Sequence, residues 1–224
     1  MDMVYKKSIE TRRKILSVTK ELVLQKGWNN ISVRDIAELA GVKNPLLYYY
    51  FRNKQGIADH IFGSLILKTL DYAEKEVPFK DDGMLSHFLY VSLYYRILLE
   101  NELYQKLYME STHPFDSPVE NVDEYDLNYM VTKQFDEIIK SYGANLDNAT
   151  LKAYTISAFS VATSIFRNII AGNLELGYKE AMFFVTRFWI LSAGIDEKIF
   201  EEKMNKAIEM ALQVDLESFV SDED

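Results

Sequence analysis

Apolar and polar positions along this chain follow a helical period almost throughout, and strand-like alternation is nearly absent. Ile15, Val18, Thr19 and Leu22 recur at three- and four-residue spacing, flanked by Leu16 and Val23, and predict a first helix over about 8–26. Gly27 then follows a basic final turn, a common way to stop a helix. Ser32 with Asp35 three residues on forms a capping-box variant and predicts a second helix, ending at Ala40-Gly41. Asn44 before Pro45 predicts a third, short helix over 45–51. Asn44 would be its cap, and proline at the first helical position gives up only an N–H that has no partner there. A fourth helix runs from Lys54 to about Val77. Beyond it, longer helices are separated by polar breaks at 77–83, 113–118, 142–147, 172–177 and 194–196, and the acidic stretch 218–224 reads as a frayed tail. The fold class is therefore all-α, with an N-terminal three-helix head over residues 1–56 and a larger helical domain over 57–224. No internal repeat or low-complexity tract interrupts it.

Two short helices joined by a glycine turn form the helix-turn-helix unit, whose second helix enters the major groove of DNA. Gly41 permits the close turn, and Ile36, Ala37, Val42, Leu47 and Phe51 supply the apolar positions that hold the second helix against the first. At roughly 1.5 Å per residue such a helix is about 12 Å long, similar to the groove width. Its leading edge carries Lys43, Asn44, Leu46 and Tyr49. Tyr48, Tyr49, Tyr50 and Phe51 are consecutive, and successive helical residues point about 100° apart, so the four cannot all be core. Tyr50 and Phe51 are assigned inward, Tyr48 and Tyr49 outward to DNA.

Charge sharpens this picture. The net charge of −9 argues against a polyanion partner when read as one number. By segment, residues 1–56 hold 11 of the 25 Lys and Arg but 5 of the 34 Asp and Glu, a net +6 against −15 for the remainder. A basic head on an acidic body approaches DNA in one orientation.

The run from Ile31 to Lys54 resembles the signature of the tetracycline-repressor (TetR) family: a Ser-Val start, Ile36-Ala37, Ala40-Gly41-Val42, then Leu47-Tyr48-x-Tyr50-Phe51 and Lys54 three residues later. Arg12-Arg13-x-Ile15-Leu16 and Lys26-Gly27-Trp28 match its first helix, so the likeness covers about residues 8–60. It implies that Tyr48 and Lys54 grip phosphate and that Ser32 caps the second helix and touches phosphate. It also implies that Lys43, Asn44, Leu46 and Tyr49 meet bases, and Arg34 joins this DNA-binding set. Two residues depart from the family pattern: Lys43, where a serine often caps, and Leu46, where a small or hydroxylated residue is common. Leu46 suits a thymine methyl. The resemblance further implies a repressor that binds a pseudo-palindromic operator on double-stranded DNA as a homodimer and is released by a small-molecule effector.

In the body, 153–166 carries no charge and 181–195 only Arg187, so neither helix has a polar face and both need cover on every side. Ala149, Ala153, Ser157, Ser160 and Ser164 form a stripe of small residues that lets another helix approach. With Phe184 and Phe188, they are the expected dimer surface of a four-helix bundle. The competing reading is a large monomeric core. Fifteen tyrosines and many phenylalanines suit an aromatic-lined pocket, expected among Phe88, Tyr95, Tyr108, Tyr129 and Phe166, though for any one of these ordinary core is the better reading. The body's aromatic and methionine content favours an aromatic or lipophilic effector, and its net charge a neutral or cationic one. An adaptor that binds a protein partner through the same domain is the alternative.

Enzyme readings find little. Glu110-x-x-His113 has the spacing of di-iron bundles, but only one copy exists and Pro114 ends the helix. His60, His87 and His113 lack metal-ligand spacing, and no phosphate loop or nucleophile motif occurs. With no cysteine, no apolar leader and no membrane-length apolar run, the chain reads as a cytoplasmic protein with no metal, cofactor or membrane contact.

Overall fold

The structure, a computed structural model, describes residues 2–111 and 127–221. All of the regular structure among the described residues is helical: α1 (Asp2–Lys26), α2 (Val33–Ala40), α3 (Asn44–Phe51), α4 (Lys54–Glu76), α5 (Gly83–Glu100), α6 (Glu102–Glu110), α7 (Leu127–Ser141), α8 (Asn148–Ile170), α9 (Tyr178–Ser192), α10 (Glu197–Leu212) and α11 (Leu216–Ser221). Contacts divide the chain into two compact units: the described residues of 1–64 and 100–117, and those of 65–99 and 118–224.

The first unit closes around Ile15, Leu22, Val23, Ile36, Leu47, Phe51 and Ile57, all buried. α6 belongs to it, and Phe62 of α4 meets Tyr104 and Tyr108 of α6 with ring centroids 6.4 Å apart in each case. α1 begins six residues earlier than its pattern suggests. Ser8, the residue that reads as a start, lies inside the helix, and its hydroxyl accepts from Tyr50 of α3 at 3.1 Å.

In the second unit α5 is buried continuously from Met84 to Tyr90. Arg96 Nη1 donates to the carbonyls of Ala211 (2.7 Å), in the last turn of α10, and Val214 (2.9 Å), just beyond it, and so ties α5 to the end of α10. Two breaks go unmarked by glycine or proline. Asn101 alone separates α5 from α6, and its Oδ1 accepts the N–H groups of Leu103 and Tyr104. Gln213 to Asp215 separates α10 from α11. The expected fraying from Ser218 is corrected through Ser221, which lies in α11. Asp215 Oδ1 accepts from the Glu217 and Ser218 N–H groups, and Phe219 sets its ring edge-on to Tyr72 at 5.7 Å, beneath the Lys68 ammonium. Residues 222–224 lie outside the described residues, as does the break at 113–118.

Candidate nucleic-acid interface

Ser32 sits at the N-cap of α2 in extended backbone (φ −114°, ψ 163°), and its Oγ accepts the Asp35 N–H at 3.2 Å. Asp35 Oδ2 in turn accepts the Ser32 N–H at 2.7 Å and the Ser32 hydroxyl at 2.6 Å. These bonds, the side-chain one foremost, hold the Asp35 carboxyl below its ordinary pKa. Both halves of the capping box are thus formed, and they fix where the helix begins. At its other end Gly41 takes φ 66°, a left-handed conformation that glycine enters without a Cβ penalty. The Val42 N–H there bonds back to the Ala37 carbonyl at 2.9 Å.

α3 starts differently from its sequence reading. Asn44 is not the cap: Lys43 holds that position (φ −83°, ψ 146°), with no side-chain cap bond, and Asn44 is the first helical residue. Pro45 at the second helical position explains why no capping side chain is required. It has no N–H to satisfy, and the Lys43 carbonyl already accepts from Leu46 at 2.9 Å. The side chains of Lys43 and Asn44 are both exposed. Leu47 and Phe51 are buried, whereas Leu46 is 38%, Tyr48 47% and Tyr49 79% exposed. Tyr50 is half-buried, bonded to Ser8 and edge-on to Tyr49. Ser32 and Arg34 are exposed at the start of α2. Leu46, Tyr48 and Tyr49 are thus exposed on the short helix that the exposed Lys43 precedes.

Lys54 is placed otherwise. Its ammonium donates to the Trp28 carbonyl and lies 4.3 Å from the centre of the Trp28 ring, a cation–π contact within its own unit. Burial lowers its pKa, while Glu110 and Asp35 oppose that shift. A lysine ammonium has three donors, and this contact uses one. Glu110 itself accepts from the Asn29 N–H at 2.8 Å. No sequence signal points to this pair, because 81 residues separate its members.

On α8, Ala153, Ser160 and Ser164 are exposed and Ser157 half-buried, with Ile156 63% exposed among them. On α9, Phe184 and Phe188 are 59% and 51% exposed. The opposite sides of the same two helices are buried through Ala158, Ala162, Phe166, Ala181, Met182 and Val185.

Of the expected pocket residues, Phe88, Tyr95 and Phe166 are buried in the second unit. Tyr95 and Phe166 stack at 4.0 Å with an interplanar angle of 9°, and Phe88 meets Phe200 edge-on at 5.8 Å. Tyr108 is not with them. It is buried against Phe62 in the first unit, because α6 packs there. The Tyr129 side chain lies outside the described residues. His87, which the sequence marks only as lacking metal-ligand spacing, is buried next to Phe135 (4.8 Å) and Tyr90 (5.1 Å), with Nδ1 3.2 Å from Gln134 Oε1. Burial pushes its pKa down to about 4, so it is neutral at physiological pH. A cleft of about 400 Å³ opens elsewhere in this unit, lined by Phe79, Asp81, Asp82, Glu137, Tyr142 and Lys203 among others. Among the described residues no cluster of three metal-ligating side chains occurs, and no helix is long and apolar enough to cross a membrane. His113 lies outside the described residues.

Residues 15–61 match the profile of the bacterial regulatory proteins, tetR family. No curated protein sequence matches the chain. Among solved structures, RolR in complex with resorcinol is similar at TM-score 0.61 and 15% identity, over 94% of this chain and 97% of that one. The regulator TylP of Streptomyces fradiae, described as a TetR regulator, is similar at TM-score 0.51 and 16% identity, over 92% and 99% of the two chains. A TetR-family regulator from Syntrophomonas wolfei is similar at TM-score 0.51 and 18% identity, over 83% and 95%. These likenesses extend the shared fold across both units.

Proposed function

We propose that this chain, whose residues 15–61 match the tetR family of bacterial regulatory proteins, is a DNA-binding transcriptional regulator of that family, a homodimeric repressor released from a pseudo-palindromic operator by a small aromatic effector. The observation that carries the reading is the start of α3. Lys43, Asn44, Leu46 and Tyr49 stand exposed on a helix whose rear, Leu47 and Phe51, is locked into the core. Ser32, Arg34 and Tyr48 flank it as backbone contacts, which position a protein on DNA without reading sequence. In this division residues 1–56 carry the DNA contacts and 57–224 the dimer and effector surfaces.

Two recognition helices are needed because one short helix rarely supplies enough specificity by itself, and their half-sites lie about 34 Å apart, one turn of DNA. The exposed apolar strip of α8 and α9 supports a two-fold bundle as the means of pairing them. For the effector, the aromatic rings of Phe88, Tyr95 and Phe166 and the neutral imidazole of His87, whose Nδ1 faces Gln134 Oε1, are the groups of the second unit that support the reading. That chemistry suits a phenol or a similar small neutral or cationic aromatic. RolR, which shares the fold, has been crystallised with resorcinol.

The test is selection of binding duplexes from a randomised pool, followed by titration of resorcinol and related phenols against the protein–DNA complex. An enriched two-fold symmetric site is expected. No enrichment, or a single unsymmetrical half-site, overturns the DNA reading. A phenol that raises the thermal midpoint of the protein yet leaves DNA affinity unchanged overturns the proposed coupling.

A further inference from the structure

Trp28 and Asn29 share one peptide group, and both of its polar atoms are held by charged side chains from distant helices. Its carbonyl accepts from the ammonium of Lys54, the first residue of α4. Its N–H donates to the carboxylate of Glu110, the last residue of α6, at 2.8 Å. A cation on the oxygen and an anion on the hydrogen both align with the peptide dipole, and charge-assisted bonds are stronger than neutral ones. The turn is built to receive the carboxylate. Gly27 takes φ +78°, and a Cβ there would lie 3.1 and 3.2 Å from the two Glu110 carboxylate oxygens, close enough to displace them. A second tie lies one turn earlier on α6, where Lys106 Nζ donates to the Leu24 carbonyl at 2.7 Å. The clamped peptide stands four residues before the Ser32 cap of α2, and Lys54 follows the end of α3 by three residues. Both helices of the helix-turn-helix are therefore anchored, at one end each, to this single peptide.

We propose that Glu110 is a positioning residue for operator binding: with Lys54 it fixes the Trp28–Asn29 peptide, and through it the orientation in which α2 and α3 are presented to DNA. Glu110 touches no base or phosphate in this role. Lys54 acts in the same way here, from within the turn. The inference rests on the DNA-binding reading and extends the DNA reader to the end of α6.

The experiment compares Glu110→Ala, Glu110→Gln, Glu110→Asp, Lys54→Met and the Glu110→Ala/Lys54→Met double variant in the full chain. Each is measured by fluorescence anisotropy against the duplex recovered by selection and against a scrambled duplex of the same composition, with thermal midpoints alongside. Glu110→Ala raises the Kd for the selected duplex about tenfold, the cost of one charge-assisted bond, while the scrambled duplex changes less than about twofold. Glu110→Gln, which keeps a carbonyl acceptor, recovers most of the loss. Glu110→Asp, which keeps the charge but withdraws it by one methylene, does not, and it reads the same point should the alanine variant fail to fold. The double variant binds no more weakly than the worse single one, because both act through one peptide. Equal weakening on both duplexes, or a lowered thermal midpoint with unchanged Kd values, overturns the proposal and leaves Glu110 a purely structural residue. If the wild type recovers no duplex at all, the DNA-binding reading fails instead.

Discussion

Replacing Phe184 by alanine tests the proposed dimer surface most directly. The side chain is 59% exposed, and Phe188, one turn on, is 51% exposed. A phenylalanine presents roughly 150–250 Å², so each leaves on the order of 100 Å² of apolar surface in water. Covering that area is worth about 2.5 kcal/mol at roughly 25 cal/mol per Å², of which alanine retains a small part. A two-fold interface uses every residue twice. Phe184→Ala therefore removes about 4 kcal/mol from association, or about a thousandfold in the dimer dissociation constant. The folded monomer loses little, because the side chain is not part of its core. Sedimentation velocity over a concentration series from nanomolar to high micromolar measures the shift directly. Ser160→Arg, also on the exposed face of α8, is the companion variant, since an unpaired charge in a close helix crossing is disruptive by another route. Operator affinity falls with both, because each protomer supplies one recognition helix. A wild type that is monomeric at micromolar concentration refutes the surface. So does a dimer constant that moves less than about tenfold in Phe184→Ala.

Tyr49, 79% exposed at the front of α3, gives a cleaner separation of stability from function. Tyr49→Ala leaves the unfolding free energy within about 0.5 kcal/mol, as exposed substitutions usually do, while operator affinity drops at least about tenfold. Equal losses in both measurements would assign Tyr49 to the fold. His87 makes stability pH-dependent. Its imidazole binds a proton near 6.5 when unfolded, whereas burial delays this to about 4 in the folded chain. The unfolded state therefore holds more protons between those values, so stability is full above about pH 6.5 and falls through the window below it, by about 2 kcal/mol from pH 7 to pH 5. Urea unfolding at the two pH values measures the slope, and His87→Gln should flatten it. An unchanged slope in that variant means other groups carry the dependence.

The sequence alone determined whatever depends on short-range geometry. The capping box of Ser32 and Asp35, the left-handed turn at Gly41 and the inward Leu47 and Phe51 all follow from spacings of a few residues, where backbone hydrogen bonding and helical period leave few choices. The small-residue stripe of α8 is visible in the sequence for the same reason, and the structure leaves its Ala153, Ser160 and Ser164 exposed. Tertiary structure decided what depends on pairs far apart in the chain. Asn101 breaks α5 from α6 through a side-chain cap, and the short α6 that results packs with the head, which carries Tyr108 to Phe62 and Glu110 to the Asn29 N–H. The destination of Lys54 belongs here too. A lysine at that position has the reach for phosphate, but Trp28, on a turn 26 residues earlier, offers a carbonyl and an aromatic face within the fold. Periodicity reports which face of a helix is apolar. It cannot report which distant carbonyl, amide or ring will stand opposite a given charge, because that is fixed only when several helices pack together.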